Sequence, residues 1–565
     1  MTWGKRRAII ITVVVLFIAA IIWAALRPRH LAGKSVLVMN VNGDIEDQSP
    51  LSVLSAFTSS GPTVLHTYTD ALDAARTDPH ISGLVVRIGP LNGGWAKLEE
   101  LRQHLLAFRQ SGKPNICYLG YDGVGNPEYY LASACSQVWV VPTDPVSITG
   151  MMAQALFLRG TLDKLKVVPE VFHIAEFKTA YNTYTEKKFT PAHREEVQSI
   201  LTGVYDQYVA DAAASRHMNR AKFESLVAAG PFSGSDAVRD GLVDRLAYWD
   251  QVQSYFRNRK GGWHPISLDR YSGFLRASSG PTVAVVYASG EIVSGDSGTS
   301  PTSGTVMGGD TIAAALRSAS NNHNVRAIVL RVDSGGGSVV ASEVIRREVE
   351  LAEARKPVVV SMADLAASGG YWISVPADKI VAEPDTETGS IGVLAGKMNL
   401  AGLYSLLGLS TDYVATSDNA TLFSDQQNFT PAQQTYIQRS LQETYATFTK
   451  TVAADRHMSV AAIDKIAKGR VWSGAQAKQL GLVDYLGGVD RAIAVAKQLA
   501  NIPARQSVSI LRLPRSRSLL DQLLNWEENQ ISGRTPSIQS VLQRVVGNMN
   551  MAPVQARIPY VLHIR

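Results

Sequence analysis

Four short motifs in this chain occur twice at one spacing. Thr190-Pro191-Ala192 returns as Thr430-Pro431-Ala432, and Arg216-His217-Met218 as Arg456-His457-Met458. Ser233-Gly234 returns as Ser473-Gly474, and Gly241-Leu242-Val243-Asp244 as Gly481-Leu482-Val483-Asp484. The offset is 240 each time (430 − 190, 456 − 216, 473 − 233, 481 − 241). Agreement of this kind without a gap marks a duplicated unit, and two copies of one pattern fold as two similar bodies. Upstream the offset drifts by a few residues. Gly43-Asp44-Ile45 still matches Gly290-Glu291-Ile292, and Asn92-Gly93-Gly94 lies opposite Ser334-Gly335-Gly336-Gly337. The first unit is therefore expected over 36–253 and the second over 282–499. Between them, 254–281 reads as a linker with glycine and serine breaks, and 500–565 as a tail without a motif.

Each unit alternates strand-like and helix-like runs. Residues 283–287, 327–332 and 358–362 are short and apolar but for Arg331 and Ser361, as strands buried on both faces are. Residues 339–354, between the second and third of these, carry helical spacing. Strand, helix, strand in this form predicts parallel βαβ units and an α/β fold. The composition agrees, with 45% hydrophobic and 18% charged residues over 565 positions, which is that of a globular protein of two to four domains. A formal charge of +6 with no basic stripe and no recognition motif gives no reason to expect a nucleic-acid partner. No metal-ligand spacing or cofactor fingerprint occurs, so no cofactor is expected. Cys117 and Cys135 lie in a strand-like and a helix-like run; they read as two buried thiols, with a disulfide open to them outside the cytoplasm.

Residues 8–26 are apolar except for Thr12, long enough to cross a bilayer core of about 30 Å. Lys5, Arg6 and Arg7 precede the run and no good cleavage site follows it. The expectation is an uncleaved anchor, with 1–7 in the cytoplasm and the body of the protein on the far side of the membrane.

The chemistry is carried by an asymmetry between the units. In the second, two glycine-rich turns follow predicted strands: Asp333-Ser334-Gly335-Gly336-Gly337-Ser338 and Ala366-Ala367-Ser368-Gly369-Gly370-Tyr371. Such turns point free N–H groups at a ligand, and two on neighbouring strand ends suit an oxyanion. Aligning Tyr371-Trp372 with Tyr129-Tyr130 puts Asn126 opposite Ser368 and Pro127-Glu128 opposite Gly369-Gly370. The first unit thus lacks the hydroxyl. It has instead Lys178, in Phe177-Lys178-Thr179-Ala180, where the second unit has no lysine from 410 to 431. Complementary loss suggests one composite site, with the base from one unit and the nucleophile from the other. None of the 11 histidines sits in a glycine-rich turn, and the repeated His217 and His457 read as structural.

These motifs, together with Thr388-Gly389-Ser390-Ile391-Gly392, resemble the signal peptide peptidase A (protease IV) family in its long tandem-repeat bacterial form. The resemblance implies a pair of crotonase-like, Clp-protease-like α/β domains and a serine endopeptidase of acyl-enzyme type. It places the nucleophile at Ser368, the lysine base at Lys178, a lysine-orienting hydroxyl at Ser390, and the oxyanion donors at the N–H groups of Gly336 and Gly369. It implies substrates such as cleaved signal peptides and other apolar peptides, a single-pass protein of the bacterial inner membrane with its body in the periplasm, and a homotetramer. Two departures are visible. Gly335 stands where the family usually has proline, and the lysine context is Phe-Lys-Thr-Ala in place of Tyr-Lys-Ser-Ala. The rival readings are a catalytically silent membrane scaffold on the same fold, which a serine-directed probe separates, and an acyl-CoA enzyme, which an extracytoplasmic location opposes.

Overall fold

The computed structural model describes residues 31, 33–48, 63–121, 123–275, 278–300 and 304–514, and the backbone of Gln555–Arg557 and His563–Ile564. The expected anchor, 8–26, lies outside the described residues. Among those described, no helix is long and apolar enough to cross a membrane.

The first unit is built on a sheet in the spatial order Thr63–Val64, Ser35–Glu46, Ile81–Asn92, Asn115–Leu119, Gln137–Val140, Arg245–Leu246. Every pairing along it is parallel. The second unit repeats the plan in the order Ser509–Leu513, Thr282–Ser289, Val325–Ser334, Val358–Ala367, Glu387–Gly389, Val471–Ser473. Only its last pairing, Val471–Ser473 against Glu387–Gly389, is antiparallel on this path. Crossover helices stand where the spacing predicts them, Val339–Glu353 in the second unit and Trp95–Arg109 in the first. Parallel strands need such crossovers, and the helices bury both faces of the sheet. Alternate residues of one strand accordingly enter different cores: Ala284, Val286 and Ala288 join one cluster, Val283, Val285 and Tyr287 another.

The repetition runs further than motif matching follows it. Pro265–Ser267, inside the segment read as a linker, pairs in parallel with Ser35–Glu46. Ser509–Leu513, at the start of the tail, pairs in the same way with Thr282–Ser289. Each unit therefore closes by returning a strand to the side of its first one. The long helices Pro191–Ser215 and Pro431–Asp455 also match in detail. Thr190 and Thr430 cap them, each hydroxyl accepting the N–H three residues on, from His193 and Gln433, at 3.3 Å. His217 and His457 follow their ends in the left-handed region, at φ 55° and 54°. Arg216 and Arg456 then bond to Asp244 and Asp484 at 2.9 Å. The repeated Arg-His-Met motif is thus a helix stop. Cys117 and Cys135 form a disulfide, with Cα atoms 5.6 Å apart, in place of the two thiols expected.

A third sheet joins the units. Its order is Gly298–Ser300, Gly304–Gly308, Glu291–Val293, Gly336–Ser338, Gln555–Arg557, Leu394–Asn399, Val168–His173. The last two belong to different units and run antiparallel through six residue pairs, from Leu394 opposite His173 to Asn399 opposite Val168. Buried charges add to this junction. Lys97 of the first unit bonds Asp333 at 2.6 Å and Asp364 at 3.2 Å. Arg331 of the second bonds Asp47 at 3.1 Å and Glu100 at 2.9 Å. Removing one partner of such a pair strands a charge in the interior, at a cost of about 3–5 kcal/mol.

Candidate active site

Ser368 sits where the strand Val358–Ala367 turns into the short helix Gly369–Ser374. Its backbone is at φ 58°, ψ −113°, a strained position for a residue with a side chain. Its N–H donates to Gly389 O at 2.8 Å, so the turn is held by the neighbouring strand Glu387–Gly389. Ser390 directly follows that strand, also at positive φ (48°), with its N–H donating to Arg470 O at 2.7 Å. The two strained serines are therefore one strand apart.

Lys178 arrives from the first unit. The strand Val168–His173 leads into its loop, and the pairing with Leu394–Asn399 carries that loop to the second unit. Phe177 N–H donates to Lys468 O at 3.2 Å. Gly469 leaves the room: a Cβ there would lie 2.6–2.8 Å from the backbone and Cβ of Lys178. Lys178 Nζ reaches Ser368 Oγ at 2.7 Å, Ser390 Oγ at 2.9 Å and Ser390 O at 3.1 Å. All three residues are buried, Lys178 being 1% exposed. Burial pushes the lysine down to about 7, with Glu196 acting in the opposite direction. A neutral amine has two N–H groups and one lone pair. Ser390 Oγ and O can take the two N–H groups, which leaves the lone pair for the Ser368 hydroxyl proton. Ser390 Oγ in turn donates to Gly469 O at 3.2 Å.

The two glycine turns meet. A Cβ on Gly369 would stand 3.1 Å from Gly336 Cα, and one on Gly370 would stand 2.4 Å from Ser334 O. Gly336 is at φ 97°, and its N–H donates to Ser334 Oγ at 3.2 Å. Gly369 supplies the first N–H of its helix, a group with no partner within the helix. All five residues singled out in the sequence, Ser368, Lys178, Ser390, Gly336 and Gly369, thus stand in this one junction between the units.

The sequence pattern of peptidase family S49 is matched twice, over residues 107–261 and 350–503. The chain belongs to peptidase family S49. It is 31% identical over 522 residues to "Serine protease SPPA, chloroplastic" of Arabidopsis thaliana, covering 90% of this chain and 76% of that one. It is 37% identical to "Protease 4" of Salmonella typhi, over 77% of this chain and 71% of the relative. "Protease 4" of Haemophilus influenzae matches at 32% identity, over 83% and 80%. Among solved structures, a variant of the 1510-N membrane-bound stomatin-specific protease matches at 11% identity, over 42% of this chain and 98% of its own, with a TM-score of 0.26. A ClpP1 variant from Listeria monocytogenes matches at 16% identity, over 37% and 91%, with a TM-score of 0.24. Both scores are too low to bear on the fold.

In this S49 serine peptidase the first unit keeps the frame of the site without its chemistry. Tyr129 Oη donates to Leu242 O at 2.8 Å and Tyr371 Oη to Leu482 O at 2.9 Å, which fixes the alignment of the two turns. Asn126 then occupies the place of Ser368, and its Nδ2 donates to Gly150 O at 2.8 Å. Pro127 occupies the place of Gly369 and has no N–H to offer an oxyanion. Ile148 stands opposite Ser390 (390 − 242). Opposite Lys178, the second unit has the short exposed helix Asp418–Thr421. Sequence reasoning missed two residues that stand against the lysine loop, Gly469 and Glu196. The first lies in no motif, and the second reads as one more charge on a helix.

Proposed function

We propose that this S49 peptidase is a membrane-anchored serine endopeptidase that works through a Ser368–Lys178 dyad on cleaved signal peptides and other apolar peptides. The observation that carries the reading is the 2.7 Å approach of Lys178 Nζ to Ser368 Oγ, both of them buried. A serine hydroxyl needs a base at hand. A lysine serves only if it is neutral near the working pH, and burial brings Lys178 there. Lys178 takes the hydroxyl proton as Ser368 Oγ bonds to the peptide carbonyl carbon. The resulting oxyanion is met by the N–H of Gly369 and, once it turns from Ser334 Oγ, by that of Gly336. The ammonium then hands its proton to the leaving amine, and an acyl-enzyme remains. Water, deprotonated by the same amine, releases the acid and returns Ser368. Ser390 holds the two amine N–H groups throughout.

An extended substrate is supported by the backbone of Gln555–Arg557. It lies antiparallel to Gly336–Ser338, with Gly336 opposite Arg557, and touches Leu394 on its other side. Main-chain pairing of this kind takes many sequences, as a peptide-degrading enzyme requires. The apolar run 8–26 supports the anchor, and the Cys117–Cys135 disulfide supports a body outside the cytoplasm, here the periplasmic face of an inner membrane. Exposed Leu406, Leu407, Leu409, Tyr413 and Val414 support self-association, proposed as a homotetramer. A fluorophosphonate probe tests the dyad. It should label the protein at Ser368 and fail to label Ser368→Ala or Lys178→Ala. A folded wild-type protein that takes no label would move the reading to a silent scaffold.

A further inference from the structure

We propose that Glu196 is a positioning residue for Lys178: its buried carboxyl ties the lysine loop of the first unit to the strand of the second that holds Ser390. The inference rests on the dyad reading above.

Glu196 lies in the second turn of the helix Pro191–Ser215 and is 0% exposed. Its Oε1 accepts the Val471 N–H at 2.5 Å, and its Oε2 accepts from Thr179 Oγ1 at 3.4 Å. Thr179 is the residue after Lys178. Val471 opens the strand Val471–Ser473, which pairs with Gly389, and the preceding Arg470 O receives the Ser390 N–H at 2.7 Å. One carboxylate therefore holds both sides of the hydrogen-bond set that grips the lysine amine. Beside it, Glu195 bonds Arg470 at 2.6 Å, and the Arg470 guanidinium lies 4.7 Å from the Phe177 ring. Consecutive glutamates of one helix thus bracket the turn 470–471 from the surface and from within.

The fold alone does not ask for an acid here. At the repeat offset the second unit has Tyr436 in the same place on its helix (436 − 196 = 240), and Tyr436 is 50% exposed. Nor does burial favour it, since an isolated carboxylate in the interior is expensive. A carboxylate retained at this cost, one residue from the base, acts on the base. The charged groups around it are Lys178 from the loop, Glu387 from the strand Glu387–Gly389, Arg470 through Glu195, and Lys468, which pairs with Glu176 at 3.5 Å. Burial pushes Glu196 up to about 8, with Lys178 and the Val471 N–H opposing. With Lys178 near 7 and Glu196 near 8, the carboxyl is uncharged where the amine loses its proton, so Glu196 acts on the base by holding it in place.

The test compares Glu196→Gln and Glu196→Ala in the full-length protein, with kcat, KM and the pH profile of kcat/KM on an apolar peptide ester. Glutamine keeps an acceptor for the Val471 N–H and its amide can donate to the threonine hydroxyl, but it carries no charge. Glu196→Gln should keep its plateau kcat within about threefold and leave the acidic limb within about half a unit of wild type, because the carboxyl it replaces is uncharged there. Glu196→Ala loses both contacts, and its kcat should fall about 100-fold with KM little changed, since a base misplaced by about 1 Å costs that much. A kcat in Glu196→Gln as low as that of Glu196→Ala overturns the proposal, and so does wild-type kcat in Glu196→Ala. If Glu196→Ala does not fold, Glu196→Met, of similar volume and without the two acceptors, takes its place and should show the same loss of kcat. Ser368→Ala and Lys178→Ala run alongside. If either of those keeps its activity, the dyad has failed; if both are dead while the Glu196 variants match wild type, only the present inference has.

Discussion

The turn Gly125-Asn126-Pro127 of the first unit and the turn Ala367-Ser368-Gly369 of the second are the same piece of fold put to different uses. Both follow an inner strand, both open a short helix, and both are pinned by a tyrosine bonded to the matching leucine carbonyl. The glycine turns beside them differ as well. In the second unit the turn at Gly336 faces Ser368's helix. In the first, the turn at Gly93-Gly94 receives Asp364 of the second unit. A Cβ on Gly94 would lie 2.0 Å from the Asp364 carboxyl carbon, and the Lys97 N–H donates to Asp364 Oδ1 at 3.0 Å. A helix N-terminus suits an anion, and here the anion is a side chain of the neighbouring unit. The turn at Gly94 is thus filled by a carboxylate of the neighbouring unit, and the turn at Gly336 is not.

The largest expected effects break this comparison. Ser368→Ala and Lys178→Ala should each lower kcat by at least about 1000-fold, and the double variant by no more, because the two act as a unit. Adding Asn126→Ser and Pro127→Gly to Ser368→Ala should restore nothing, since 418–421 has no lysine to serve the new hydroxyl. Recovered ester hydrolysis in that triple variant would show the first turn to be competent after all.

A smaller effect sharpens the difference in burial. Lys178 has its ordinary value of 10.5 lowered to about 7. The unfolded chain therefore binds a proton between pH 7 and 10.5 that the folded one does not, and stability rises with pH across that window. Below pH 7 the folded protein carries the full penalty of a buried charge. Lys178→Met should remove it and raise stability by several kcal/mol, on the order of 4, at pH 6. The gain should shrink as pH climbs from 7 towards 10. The same titration predicts that wild-type kcat/KM rises through about pH 7 to a plateau. Chemical denaturation and initial rates across pH check the two halves, and a Lys178→Met protein no more stable than wild type at pH 6 would contradict the first.

The smallest effect belongs to the silent turn. Asn126 is 4% exposed and donates one bond, to Gly150 O. Asn126→Ala should change stability by about 1 kcal/mol and leave the peptidase rate untouched. A large loss of rate would mean that the first turn still serves the reaction.

Much of this site is readable from the chain because its parts are unpaired within their own repeats. Ser368 faces an asparagine in the alignment, and Lys178 faces no lysine, so each stands out. The βαβ core is readable for a plainer reason. Val358-Val359-Val360 and the run 327–332 are long enough and apolar enough to be strands wherever they occur. The third sheet is not readable. Val168–His173 and Leu394–Asn399 mix proline, glutamate, glycine and lysine, and they become strands only by meeting each other across 221 positions (394 − 173). Pro265–Ser267 is hidden in the same way, three residues with one buried side chain. Glu196 escapes because a charge on a helix looks alike whether it faces water or a buried amide. The disulfide escapes because two cysteines 18 positions apart say nothing of the 5.6 Å between their Cα atoms.

The sharing of that third sheet also sets a clock. Lys178 and Ser368 are 190 positions apart, and the strand that brings the lysine home, Leu394–Asn399, is later still. At about 5–20 residues per second, a ribosome needs roughly 10–40 s to pass from the amine to the hydroxyl. During that interval the emerging chain holds a solvated, charged lysine and no partner for it. Until the second unit is made, the lysine has no hydroxyl to meet. A cutting edge assembled last, from pieces made at different times, keeps the chain safe from itself while it is being made.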